Sequence, residues 1–231
     1  MNAPTTFQVM INHIFRDLLD QGTVAFMDDL MVHASTKKKY DEISLEVLRR
    51  LRENRLCIAP NKCEWSTDHV QFLGYIISGD GVELTDEKIE TLKNIQPVNS
   101  LKEVQCFLSF ANFYRRFIND YSKSYLPLSN STSLDPKDWR STSEIRKVQE
   151  NLVKLFTNPP ILKHFDPNRQ AIIETDASDY TLGAILSQKH HDPQTQTERL
   201  HPMAFHSRKF TPAEINYDTC DKELLAICRL L

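Results

Sequence analysis

Apolar residues recur at helical spacing over residues 5–20, where Phe7, Met10, Ile11, Ile14, Phe15 and Leu18 predict one buried face of a helix that Gly22 ends. The period then changes. Residues 23–27 and 30–34 are two short apolar runs, which predict a hairpin with Asp28-Asp29 at its tip. Ser35-Thr36 caps a second helix, with Ile43, Val47, Leu48 and Leu51 as its inner face. Residues 70–78 are rich in β-branched and aromatic side chains and predict a strand interrupted at Gly74. Gly79-Asp80-Gly81 is a turn signal.

The middle of the chain reads as helical. Thr85-Asp86-Glu87 opens a helix that Pro97 closes, and Ser100 with Glu103 forms a capping box ahead of Val104, Phe107, Leu108 and Ala111. Residues 129–138 are rich in Ser, Asp and Pro and predict a linker. A second box, Ser141 to Glu144, leads into Ile145, Val148, Leu152, Leu155 and Phe156, and Asn158-Pro159-Pro160 stops that helix. Strand patterning returns over residues 170–175, 180–188 and 202–209, in meander order, with a polar loop over 189–199. Thr211 to Glu214, with Pro212 at the first helical position, predicts a last helix. Leu224, Leu225, Ile227, Cys228 and Leu231 form its apolar side, so it runs to the final residue. The pattern is that of an α+β chain without internal repeats.

Composition narrows the class. The 231 residues, 40% hydrophobic and 26% charged, suffice for one large domain or two to three small ones, each with a core. No apolar run approaches the roughly 18 residues that span a membrane, and the N-terminus lacks the basic-then-apolar pattern of a signal peptide. The five cysteines are scattered and form no CxxC, which points to reduced thiols in an intracellular compartment and to no zinc site. The net charge of -3 runs against a uniformly basic surface. Residues 36–62 nevertheless carry eight Lys/Arg against four Asp/Glu, which fits a solvated helix face or a phosphate-contacting one.

Three sets of acids carry candidate chemistry. Asp28-Asp29 is a common turn pair. Clustered carboxylates are also what a two-metal nucleotidyl-transfer site needs, since roughly 4 kcal/mol of repulsion at about 4 Å and an effective dielectric near 20 favours a bound cation. Asp176 follows an apolar run and precedes the small residues Ala177-Ser178. Glu223 lies near the start of the last helix, where an acid is favourable in any case. A strand Asp and a helix Glu converge when the helix packs on the sheet.

The motifs around these acids resemble a known family. Phe26-Met27-Asp28-Asp29 is similar to the (Tyr/Phe)-x-Asp-Asp signature of reverse transcriptases. It is preceded by Asn2-Ala3-Pro4-Thr5-Thr6-Phe7-Gln8 and followed by Asn61-Lys62-Cys63-Glu64 and by Phe72-Leu73-Gly74-Tyr75-Ile76-Ile77-Ser78. Phe107-Leu108 to Phe117-Ile118 follows, then the series through Glu174–Ser178, Leu182–Gln188, His201–Phe205, Ser207–Lys209, Thr211–Glu214, Asn216-Tyr217 and Lys222–Ile227. The order and spacing resemble gypsy-like long-terminal-repeat retrotransposon Pol polyproteins over essentially the whole chain.

The resemblance implies a partial reverse transcriptase palm over residues 1–84, a helical thumb over 85–130, a linker over 131–138, and an RNase H-like domain over 139–231. That last domain would contain a three-stranded meander plus a helix. Asp28 and Asp29 resemble two of three palm carboxylates, and Asp176 and Glu223 the first two of four ribonuclease H acids. All four would be metal ligands for Mg2+. Phe72, Leu73, Gly74 and Tyr75 resemble the primer grip, and Arg115 and Arg116 are candidate phosphate contacts. The partners implied are an RNA/DNA template–primer, an RNA–DNA hybrid and the remaining Pol segments, with no membrane. The remaining acids of each site lie outside these residues in the family, which implies a fragment truncated at both ends and inactive alone. The family's linker is rewritten over residues 134–138, and Arg140 stands where Thr is usual. The alternative is a domesticated, non-catalytic protein that kept a nucleic-acid- or protein-binding surface.

Overall fold

The computed structural model describes residues 3–135, 139–192 and 197–229. The chain folds as two compact units that divide between Phe72 and Leu73.

In the first unit, helix α1 (Ala3–Ile14) and helix α2 (Lys37–Glu53) cover a two-stranded antiparallel ribbon, β1 (Thr23–Phe26) and β2 (Asp29–Val32). Ile11, Phe15, Ile43, Val47 and Leu51 are the buried centre, and Leu18, Ala25, Leu30 and Val32 pack around it. The first helix is shorter than its apolar pattern, because residues 15–18 continue as turns. Gly22 does stand at the break, with φ +121°. A Cβ there would meet Ile43 Cδ1 at 2.6 Å and the His33 carbonyl oxygen at 2.8 Å, so only glycine fits where the ribbon approaches α2. Thr36 is the N-cap of α2, its hydroxyl accepting from the Lys39 N–H at 3.3 Å.

The basic stretch over residues 36–62 is partly neutralised by its own acids. Glu46 accepts from Arg49 and Arg50, Glu53 from Arg49, and Asp17 from Arg50. Arg50 also donates to the Ile14 carbonyl at 2.9 Å, which ties α2 to the end of α1. The guanidiniums hold the Asp17 and Glu46 carboxyls down to about 2. Arg49 and Arg50 are thus structural rather than open to phosphate. The unit ends with strand β3 (His69–Phe72).

The second unit begins with β4 (Tyr75–Ser78), which pairs antiparallel with β5 (Val82–Leu84), a strand the sequence pattern did not show. Helices α3 (Asp86–Lys93), α4 (Leu101–Phe113), α5 (Tyr121–Ser131) and α6 (Ser143–Thr157) follow. Ser100 caps α4, accepting from the Glu103 N–H, while Glu103 accepts from the Asn99 N–H at 2.8 Å. The cap of α6 is Thr142 rather than Ser141. Thr142 accepts from the Ile145 N–H, and Ser141 instead donates to the Val98 carbonyl. The linker expected from residue 129 also starts late, because Ser129, Asn130 and Ser131 complete the last turn of α5. Pro136, Lys137 and Asp138 of that linker lie outside the described residues.

Strands β6 (Ala171–Ala177), β7 (Thr181–Asp192) and β8 (Thr197–Lys209) form one antiparallel sheet in that order. Residues 189–192 and 197–199, expected as loop, pair as strand, with Lys189 opposite Leu200 and His190 opposite Arg199. The tip, residues 193–196, lies outside the description. Thr211 and Glu214 make a reciprocal box, but it closes only a 3-10 turn, Glu214–Asn216. Arg208 donates to both oxygens of buried Glu214, at 2.8 and 2.9 Å, and holds that carboxyl down to about 2. The last helix, α7 (Thr219–Cys228), starts separately on its N-cap Asp218. Its buried contact is Ala226, with Leu225 partly covered, whereas Leu224 and Ile227 are exposed. Arg229 caps its C-terminus; Leu231 lies outside the described residues.

One core joins the helices to the sheet. Val104, Phe107, Leu108 and Ala111 of α4, Tyr121 and Leu128 of α5, and Ile145, Leu152 and Phe156 of α6 pack together, with Phe205 of β8 against them. Ser207 of β8 accepts from the Ser122 N–H at 2.9 Å, and Lys209 donates to Ser129 and Asn130 in α5.

Candidate functional site

The Asp28-Asp29 pair sits on the ribbon, displaced by one residue from expectation. Phe26 pairs with Asp29, so the two-residue loop is Met27-Asp28 and Asp29 already belongs to β2. Met27 takes φ +52°, the left-handed conformation that tight hairpin loops require. Both acids are exposed, and neither side chain has a hydrogen bond or ion pair with a described residue. Their oxygens are open to solvent and to an incoming cation.

Gln8 fixes the loop that carries them. From α1 its Oε1 accepts from the Met27 N–H at 2.5 Å, while its Nε2 donates to the Ala25 carbonyl at 3.3 Å and to Asn12 at 2.8 Å. No periodicity marks Gln8, which is a polar position on the ribbon side of a helix. The only sequence signal for it is the motif in which it stands. Its side chain anchors the turn residue immediately before the acid pair. With Gln8→Leu, we expect the Met27 amide to exchange about tenfold faster, the equivalent of one hydrogen bond. Unchanged protection of that amide would show that Gln8 does not hold the loop.

In the second unit, Asp176 lies inside β6 rather than after it, opposite Gly183 of β7. Opposed residues of an antiparallel pair project to the same face of a sheet. A Cβ built on Gly183 would lie 2.4 Å from Asp120 Oδ1, so Asp120 packs over the face to which Asp176 points. Asp120 is the N-terminal flank of α5 and takes φ +50°. Helix α7 packs on the other face, through Ala226 and Leu225 against Leu182 and Ala177. Glu223 stands one turn before Ala226, on the sheet side of α7, and is exposed. The route between Asp176 and Glu223 therefore runs around edge strand β6. Neither acid has a hydrogen bond or ion pair with a described residue. Among the described residues, no group of three or more His, Cys, Asp or Glu is assembled for a metal ion. Each acid set fits as part of a divalent-cation ligand set, with further oxygens needed.

Along the chain, residues 72–75 and 113–117 supply aromatic and basic side chains. Phe72, the last residue of the first unit, is buried. Leu73 and Gly74 take φ +51° and +81°, which makes the reversal before Tyr75. Tyr75 stacks on Phe113 with centroids 5.6 Å apart and 8° between planes, and its hydroxyl donates to the Phe113 carbonyl at 3.3 Å. Tyr114 and Phe117 complete the cluster. Burial raises the Tyr75 and Tyr114 hydroxyls above their usual range, so both remain neutral donors. Phe117 is buried and anchors the 3-10 turn Arg115–Phe117, which leaves Arg115 and Arg116 exposed.

Two family models match the chain. One, described as reverse transcriptase (RNA-dependent DNA polymerase), covers residues 1–77, and the other, described as an RNase H-like domain found in reverse transcriptase, covers residues 141–231. The Tf2-3 and Tf2-7 transposon polyproteins of Schizosaccharomyces pombe are each 34% identical over 229 residues, 99% of this chain. The chain spans 17% of the length of these relatives. Among solved structures, a foamy viral protease-reverse transcriptase in complex with RNA/DNA hybrid aligns with TM-score 0.81 and 24% identity, over all of this chain and 30% of that one. The same protein in complex with dsDNA aligns with TM-score 0.80 and 23% identity, over 99% of this chain and 46% of that one. These likenesses bear on the fold. No helix among the described residues is long and apolar enough to cross a membrane.

Proposed function

Since the chain belongs to the reverse transcriptase and ribonuclease H segment of retrotransposon polyproteins, we propose that it serves RNA-directed DNA synthesis and cleavage of the RNA strand of RNA–DNA hybrids. In this reading Asp28 and Asp29 are ligands at the polymerase centre, and Asp176 and Glu223 at the nuclease centre. The ions are Mg2+, and further acids come from other parts of the polyprotein. The observation that carries the reading is the Asp28-Asp29 pair, two adjacent open carboxylates on a loop that Gln8 clamps.

A pair of divalent ions would stabilise charge on the attacking and leaving oxygens of phosphoryl transfer. The protein's part is placement. The hairpin presents Asp28 and Asp29 to solvent without a competing cation of its own. The reversal at Leu73-Gly74 and the ring of Tyr75 are suited to hold a primer terminus, and Arg115 and Arg116 to hold backbone phosphates. The functional segments are a palm over residues 1–84, a thumb over 85–130 and a nuclease segment from 139. The work takes place inside the cell, in a particle or in the nucleus. Four intact acids favour an enzymatic segment over a domesticated binding protein, which has no need of them.

The test is binding of a primed RNA template by the 231-residue chain, followed by fluorescence anisotropy between 50 and 200 mM salt. Affinity that falls with salt is the expected result, because each phosphate contact contributes about -0.9 to the log–log slope. Absence of binding at 50 mM salt would remove the nucleic-acid reading.

A further inference from the structure

We propose that His190 and His201 form a two-imidazole site for a divalent transition-metal ion of the zinc type, which ties the outer ends of β7 and β8 together. The two residues stand on neighbouring strands. Gln188 pairs with His201 and His190 with Arg199, so His190 and His201 are diagonal neighbours on one face of the sheet. Their rings meet edge-to-face, with centroids 5.9 Å apart. Two imidazoles on one tetrahedral zinc ion, with Zn–N bonds of about 2.0–2.1 Å, have centroids about 5 Å apart. Small rotations of the two side chains would therefore bring both rings to one ion, without a change in strand register.

A second observation points to a ligand. The Nε2 atom of His190 is buried and has no hydrogen-bond partner, and a buried polar atom left in that state is uncommon in a folded protein. The charged groups around it are already engaged. Arg169 donates to Asp166 at 3.1 Å and to the Lys189 carbonyl at 2.9 Å, and Lys163 faces Asp80 at 3.5 Å. Gln188, fully buried on the same sheet face, fixes this segment. It accepts from the Asp166 N–H and donates to the Asp166 and Arg169 carbonyls. Burial, then the charges of Arg169, His201 and Lys163, hold the His190 imidazole below its usual range, against the pull of Asp166. The ring is therefore neutral near pH 7 and keeps one bare nitrogen, the form that binds a metal. No third His, Cys, Asp or Glu joins the pair among the described residues, so water completes the coordination of the ion. Imidazole nitrogen suits zinc, copper or nickel, whereas Mg2+ takes oxygen ligands, which sets this pair apart from the carboxylates. The ion gives the polar strand ends a cross-strand link that their backbone pairing lacks.

Titration of the intact chain with Zn2+, followed by NMR of the imidazole signals, tests the site. The His190 and His201 rings should shift together and saturate in a single step. His190→Gln or His201→Gln should weaken binding at the remaining ring by about 100-fold, the contribution of a second donor already held in place. His191→Gln is the control. Strand alternation puts His191 on the opposite face of the sheet, so its loss should alter neither shift. Mg2+ at the same concentration should leave both rings unmoved. No shift of either ring at millimolar Zn2+ would overturn the site. So would a shift of one ring alone, an equal response to Mg2+, or unchanged affinity in both Gln variants. If a variant fails to fold, the paired shift in the unsubstituted chain still decides the question. The outcome is independent of nucleic-acid binding, so either reading can fail without the other.

Discussion

Asp28→Asn or Asp29→Asn, placed in a polyprotein that contains these residues, is expected to lower primer extension on an RNA template by about 10^3-fold. If Asp28 and Asp29 are metal ligands, as proposed, removing one carboxylate would delete a ligand and leave cationic charge uncompensated. That is worth several kcal/mol at the transition state, and each 1.36 kcal/mol is tenfold in rate. The change is nearly isosteric and falls on exposed positions, so the fold should be untouched. Asp41→Asn is the control, since Asp41 is equally exposed but stands on α2. Steady-state kinetics on a primed template measures the effect. Retention of more than a tenth of the activity in both variants would dissociate the pair from catalysis.

The largest effect on stability is expected at Phe156. Its ring is fully buried on α6 and packs edge-on against Tyr121, with centroids 6.2 Å apart. Phe156→Ala should cost about 3–5 kcal/mol. Leu155→Ala, one residue earlier and 36% exposed, should cost far less. The consequence reaches beyond the helix. The core around Phe156 takes residues from α4, α5 and α6 and also packs against Phe205 of the sheet. The sheet is tied to α5 through Ser122–Ser207 and Lys209–Ser129. Helices and sheet should therefore melt together. Residues 139–231 expressed alone would lack α4 and α5 and should not melt cooperatively. Urea melts followed by tyrosine and tryptophan signals check both points. A sheet signal that melts apart from the helices in Phe156→Ala would contradict the shared core.

Local physics explains what the sequence revealed. Helices α2, α4 and α6 were legible because their caps and apolar faces agree, as at Thr36 with Ile43, Val47 and Leu51. The ribbon at Asp28-Asp29 was legible from two apolar runs, to within one residue. Its true register depends on Met27 adopting positive φ, which no residue preference signals. Strand β5 was hidden because it is three residues long, too short to show an alternating pattern. Val82 also exchanges hydrogen bonds with Leu162. The outer halves of β7 and β8 were hidden because they are polar. Lys189, His190 and Arg199 pair through backbone rather than through an apolar face. The box at Thr211 was real, but it closes one turn only, because the Arg208–Glu214 pair binds that turn to the strand.

The candidate sites divide in the same way. The acids were legible as residues in motifs, and their surroundings were not. Gln8 reaches the hairpin across 19 residues, and Asp120 reaches Gly183 across a helix–sheet interface. Each of these depends on tertiary contact, which spacing along the chain does not encode.

Iron-directed cleavage tests the central claim most directly. Fe2+ can take the place of Mg2+ in carboxylate sites, and with added hydrogen peroxide as oxidant and ascorbate to recycle the iron it yields hydroxyl radicals that cut the nearby backbone. With the chain bound to a primed RNA template, we predict cuts at residues 27–29 that Mg2+ competes away and that Asp28→Asn and Asp29→Asn abolish. Cuts that persist in both variants, or that fall elsewhere with none at the hairpin, would contradict the assignment of Asp28 and Asp29 as metal ligands.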